Sequence, residues 1–136
     1  VSGAYLLPWS ECQGGRAVPA IIFHGTADPI VPYLGGPSRS FDDPFPVIPS
    51  WVETLARHNG CSAEAIELPT SGAVSGVRYG NCTAQADVVF YTITGGGHSW
   101  PGGEPLPEFL AGETSQDIDA TRVMWEFFQG HPLQGK

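Results

Sequence analysis

Two runs of β-forming residues, each stopped dead by a short glycine-containing motif, constrain this chain more than anything else in it. The first is Ala20-Ile21-Ile22-Phe23, which runs into His-Gly-Thr-Ala-Asp-Pro at residues 24–29. The second, residues 87–94 (Asp-Val-Val-Phe-Tyr-Thr-Ile-Thr), is cut by Gly95-Gly96-Gly97 and followed by His98-Ser99-Trp100-Pro101-Gly102. The second is the clearest strand in the chain, and the first is continuously apolar with no alternation of apolar and polar. Continuous apolar character means burial on both faces, the pattern of strands in a parallel sheet with helices on each side. Polar residues placed immediately beyond such strands stand at their carboxyl ends, where open α/β sheets bind ligands.

The rest of the chain supplies the crossovers that parallel strands need. Residues 1–6 read as a short buried strand, residues 7–17 as loop and residues 18–24 as the next strand. Residues 28–45 carry six prolines and glycines that punctuate a long loop, and loops of this length tend to be functional. Residues 46–59 turn helical, with Trp51, Val52, Leu55 and Ala56 as the apolar stripe, Ser50 and Glu53 as a capping box, and Gly60 as the stop. Residues 64–68 and 76–80 read as a hairpin. After the strand at 87–94 and a Pro/Gly loop at 101–112, residues 115–129 form the last helix. Asp117 and Asp119 sit in its first turn, Ile118, Val123, Trp125, Phe127 and Phe128 are its apolar content, and Gly130 ends it.

Three cysteines are present, Cys12, Cys61 and Cys82. Cys61 and Cys82 flank the expected hairpin, whose closure would bring them together. A disulfide between them would stabilise by about 3 kcal/mol in the chain-entropy picture; two buried free thiols are the alternative. Cys12 is left over, for a partner outside this chain. Asn81-Cys82-Thr83 matches a glycosylation sequon, relevant only in a eukaryotic secretory setting.

The chemistry-bearing residues are Asp28, just past the first strand, and His98, just past the second. An acid followed by a histidine, each on a strand end, is the order used by serine hydrolases with an α/β sheet. A buried carboxylate beside a histidine holds the imidazole in one tautomer and stabilises its charged form. The nucleophile's elbow, Gly-x-Ser-x-Gly, is absent from the chain. Ser38 and Ser99 each have a glycine on one side only, and no serine follows a strand and opens a helix. Trp100 and Pro101, immediately after His98, are the candidates for a substrate wall, with Tyr33 and Phe41 weaker; Trp100 simply packing its loop is the alternative. His24, inside the strand-to-turn junction, reads as structural. His58 lies where a cation favours a helix C-terminus, and His131 reads as solvated. No His-x-x-x-His or Cys-x-x-Cys spacing supports a metal, and none is expected, nor any cofactor.

At these residues the chain resembles a known family. Phe23 to Tyr33, Gly35-Gly36, Asn59-Gly60-Cys61, Tyr91-Thr92-Ile93, Gly95 to Gly103 and the closing Trp125-Glu126-Phe127-Phe128 are similar to polyhydroxybutyrate-depolymerase-type esterases, relatives of feruloyl and acetyl xylan esterases. The resemblance covers nearly the whole chain. It implies an α/β-hydrolase fold, secretion or surface attachment, Asp28 as the triad acid and His98 as the base. It places the serine upstream of Val1. The 136 residues then form the C-terminal part of a single domain: a mostly parallel sheet, flanking helices and a small disulfide-linked hairpin. Their partner would be the missing N-terminal half of the same domain. The opening on apolar, strand-like residues without a Met, a capping or a turn signal suits a cut inside a domain.

The expected activity is hydrolysis of carboxylic esters, whether polyhydroxyalkanoate, feruloyl or acetyl esters. Alternatives are a peptidase of the prolyl-oligopeptidase or dienelactone-hydrolase type, and a non-catalytic polymer-binding module using Trp100 and Tyr33 as platforms. A net charge of −8 with six scattered Lys and Arg disfavours nucleic acid and anionic membrane surfaces, because phosphate binding needs clustered cations. No stretch reaches the roughly 18 apolar residues of a membrane span.

Overall fold

A computed structural model describes residues 15–38 and 42–132. The strand expected at 1–6, Cys12 and Phe41 lie outside the described residues. Strand β1 (Ala20–Gly25) is followed by helix α1 (Ile48–His58), the hairpin of β2 (Ile66–Ser71) and β3 (Val74–Tyr79), strand β4 (Val88–Ile93), a single helical turn α2 (Glu108–Ala111) and helix α3 (Ala120–Gln129). The strands form one sheet in the order β1-β4-β3-β2.

The class is α/β, but the sheet is mixed, not mostly parallel. β1 and β4 pair in parallel, from Ala20 opposite Val88 to Gly25 opposite Ile93. The other two pairings, β4 with β3 and β3 with β2, are antiparallel. Connection length decides this. A parallel return needs a crossover of a dozen or more residues, which the segment holding α1 and the hairpin supplies. The link from β3 to β4 is too short for a crossover, so β4 can only turn back along β3.

Continuous apolar runs do signal burial on both faces. Ala20 and Ile22 of β1 and Val88 and Phe90 of β4 pack with Val31, Ile48, Val52 and Ala56 under α1. Their odd-numbered neighbours Ile21, Phe23, Tyr91 and Ile93 join Val74, Ala120 and Val123 under α3. Side chains alternate along each strand, so one sheet divides two cores. Burying each Val, Ile or Phe here contributes about 1.5–3 kcal/mol before chain entropy is counted.

The helix ends differ from expectation. Ser50 is not the cap of α1: the helix begins at Ile48, after Val47, with Pro49 in its first turn and no side-chain cap bond. Proline's fixed φ and missing N–H suit that turn, so the start needs no Ser hydroxyl. The other end is as expected. Gly60 takes φ +67°, the Gly60 N–H bonds the Arg57 carbonyl and the Cys61 N–H that of Ala56, the paired bonds of a glycine-terminated helix. Helix α3 starts at Ala120, not Ser115, because Asp119 is the cap, accepting from the Arg122 N–H at 2.9 Å. Asp117 instead accepts from the Ala73 N–H in the hairpin turn at 2.8 Å. His131 is not solvated: its Nδ1 lies 2.7 Å from the Phe127 carbonyl and its ring rests on Phe127. Trp125 and Phe128 of α3 stand largely in the open, 63% and 47% exposed.

Cys61 and Cys82 form a disulfide across the feet of the hairpin. Beside it, Asn59 is buried and its Nδ2 donates to the carbonyls of Val18 and Ala86, both at 2.8 Å. Together they fasten the end of α1, the entry to β1 and the entry to β4. These ties lie at the end of the sheet opposite Asp28 and His98.

Candidate functional site

The turns after β1 and β4 touch backbone to backbone. The Thr26 N–H donates to the Ile93 carbonyl at 2.9 Å and the Ala27 N–H to that of Gly96 at 3.0 Å. The Gly95 N–H returns a bond to the Thr26 hydroxyl at 2.9 Å. Such an approach leaves no room for a side chain: a Cβ on Gly25 would lie 2.0 Å from the Gly96 oxygen. The triple glycine works chiefly by the same means. Only Gly95 of the three takes a positive φ, +77°. Gly97 is needed because a Cβ there would meet the Ala111 oxygen at 2.0 Å. The Gly97 N–H donates to the Glu113 carbonyl at 2.8 Å and the His98 N–H to that of Ala111. His98 is therefore held between the end of β4 and the segment following α2.

Asp28 is carried by the turn on β1. Its side chain is fully buried, and a buried carboxylate is costly unless its oxygens are bonded. Oδ1 accepts from the Ile30 and Val31 N–H groups, each at 2.8 Å, an Asx turn that fixes the plane of the carboxylate. Oδ2 lies 2.9 Å from Nδ1 of His98, whose side chain is 29% exposed. The acid is thus sealed in and the imidazole reaches the surface. With Nδ1–H directed at an ionised carboxylate, Nε2 is the basic nitrogen.

The sequence-predicted pair, Asp28 and His98, is brought together; the two aromatic candidates are not. Tyr33 stacks on Phe90 beneath α1, with its hydroxyl 2.9 Å from the Thr92 hydroxyl. Trp100 belongs to the opposite core, tilted against Phe23, its indole N–H donating to the Thr121 hydroxyl at 2.9 Å. Tyr33 also tilts against His24, their centroids 5.9 Å apart. His24 is completely buried, and its Nε2 lies 2.9 Å from the Val31 carbonyl and 3.6 Å from Asp28 Oδ2. Burial lowers its pKa below the ordinary imidazole value, more than the Val31 carbonyl and the Asp28 charge raise it. His24 stands next to last in β1, four residues before the acid, in the strand that leads into the Asp28 turn.

A cavity of about 640 Å³ lies away from this pair, between the sheet and α3, with Ile21, Arg78, Asp87, Tyr91, Phe127 and His131 among its walls. It holds the Arg78–Asp87 ion pair and no contact with Asp28 or His98. Among the described residues no cluster of three or more His, Cys, Asp or Glu is arranged to hold a metal ion. Nor is any helix there long and apolar enough to cross a membrane.

Among curated proteins the chain is similar to one described as "Putative esterase NocK", from Nocardia uniformis subsp. tsuyamanensis. The two are 27% identical over an alignment of 146 positions that takes in 96% of this chain and 42% of the relative. The chain thus spans less than half the length of the curated relative it matches. No family model matches the chain, and no solved structure matches it.

Proposed function

We propose that this chain carries the acid and the base of a serine carboxylic ester hydrolase whose nucleophile lies outside these 136 residues. One observation carries the reading: a fully buried carboxylate, its other oxygen satisfied by two backbone N–H groups, is bonded at 2.9 Å to Nδ1 of a partly exposed histidine. The similarity to a much longer protein described as an esterase supports it, as do the polyhydroxybutyrate-depolymerase-like residues. In this mechanism a serine hydroxyl attacks the ester carbonyl while His98 Nε2 takes its proton. The imidazolium, held by Asp28, then protonates the departing alkoxide. Water repeats the sequence to release the acid. Polyhydroxyalkanoate, feruloyl and acetyl esters are the proposed substrates. The Cys61–Cys82 disulfide favours an oxidising, extracellular or surface location.

The test uses the gene product that includes the segment upstream of Val1. His98→Ala and Asp28→Asn are each expected to lower turnover of p-nitrophenyl acetate by about 10⁴-fold with the fold intact. The 136-residue chain alone is expected to show no saturable hydrolysis. Hydrolysis by that chain, abolished by a serine-directed phosphonate, would place the nucleophile inside it and overturn the reading.

A further inference from the structure

His24 stands next to last in β1 with no exposed surface, and its two ring nitrogens have different surroundings. Nε2 lies 2.9 Å from the Val31 carbonyl, while Nδ1 has no hydrogen-bond partner among the described residues. A carbonyl can only accept, so Nε2 carries the proton and Nδ1 is bare. Val31 is then gripped at both main-chain groups: its N–H donates to Asp28 Oδ1 at 2.8 Å and its carbonyl accepts from His24. The turn 28–31 that sets the plane of the Asp28 carboxylate is closed at its far end by a side chain from the strand. That strand pairs residue by residue with β4, which ends just before His98.

From this we infer that His24 is a positioning residue: it ties the Asp28 turn to the β1–β4 ladder so that Oδ2 stays in line with His98 Nδ1. The inference rests on the reading of Asp28 and His98 as acid and base given above. A neutral ring is what the role requires. Nε2 is 3.6 Å from the same Asp28 oxygen that bonds His98. A positive charge there would compete with the His98 imidazolium for that oxygen, and burial lowers the ring's pKa, favouring the neutral form. Asp28 and His98 are the described charged groups that act on it.

Glutamine and asparagine separate this role from simple packing. The side-chain amide nitrogen of glutamine falls near the place of Nε2 and can reach the Val31 carbonyl. That of asparagine falls near Nδ1 and cannot. In the gene product that includes the upstream segment, His24→Asn is expected to lower kcat about 10–100-fold with KM changed less than about threefold, the size of effect that a misplacement of around 1 Å produces. His24→Gln is expected to recover most of that loss. Equal kcat for the two variants, or a change confined to KM, overturns the inference. If neither variant folds, His24 serves core packing alone and the inference is likewise overturned. His98→Ala in the same series tells the two failures apart. If it retains turnover, the acid–base reading itself is wrong. If it abolishes turnover while His24→Asn does not lower kcat, only the role of His24 is wrong.

Discussion

Replacing Gly25 by alanine tests whether the site depends on contact between the two strand-end turns. The added Cβ would stand 2.0 Å from the Gly96 oxygen, 2.3 Å from its carbonyl carbon and 2.8 Å from the Gly97 oxygen. All three are backbone atoms in a segment bonded on both sides, so no flexible side chain can yield. Contacts under 3.0 Å are essentially never populated, so the turn at 96–97 has to retreat by at least about 1 Å. That retreat strains the Ala27–Gly96 bond and carries His98 away from an acid now 2.9 Å from it. Overpacking of this kind costs about 1–3 kcal/mol, and a displacement of around 1 Å at reacting groups costs about 100-fold in rate. Urea unfolding should show the stability loss as a lower midpoint with unchanged slope. Turnover in the gene product with its upstream segment should show the rate loss. Gly80→Ala is the control, since the Cβ there comes no closer than 4.0 Å to the Arg78 guanidinium, and it should stay within about 0.5 kcal/mol of the parent. A Gly25→Ala protein as stable and active as that control would refute the reasoning.

Asn59→Ala leaves the carbonyls of Val18 and Ala86 without their donor and should cost about 2–4 kcal/mol, read from the same urea midpoint. Changing Cys61 and Cys82 together to serine should cost about 3 kcal/mol, and peptide mapping without reductant should recover the linked pair from the parent. Because burial lowers the His24 pKa, the unfolded chain binds the extra proton first as pH falls through about 6.5, so stability is lost below that value. The parent should therefore lose more stability between about pH 7 and pH 5 than His24→Gln; equal slopes would show that His24 does not titrate differently on folding.

Legibility in the sequence followed the range of the interactions. The strands, the glycine stop after α1 and the positions of Asp28 and His98 are local features, signalled by runs of apolar residues and the turns that end them. The antiparallel β2–β3 hairpin was legible too, but the direction in which β3 meets β4 was not, since no residue of β3 marks it. Only the length of the link to β4 settles that. The last helix starts at Ala120 and not at Ser115: Asp119 caps it, while Asp117, expected in its first turn, accepts from the Ala73 N–H far away in the chain. Asn59 shows the limit most plainly: its partners Val18 and Ala86 are 41 and 27 residues distant. Trp125 and Phe128 fit an apolar helical period yet face outward, because periodicity counts faces without saying which of them meets the sheet.

The parallel pairing of β1 with β4 also has a consequence for how the chain finds its structure. Asp28 and His98 cannot meet until two strands separated by the whole α1–hairpin crossover have docked, and non-local pairing of this sort slows folding. The Cys61–Cys82 bond lies inside that crossover and bypasses the 21-residue span it closes. It shortens the effective path from roughly 60 residues to about 40, which lowers the closure entropy by about 0.4 kcal/mol. A covalent link remote from the acid and the base thus speeds the encounter between them by about twofold if it forms before the strands dock, and by nothing if it forms after. The order of oxidation and docking becomes part of how quickly the site is assembled.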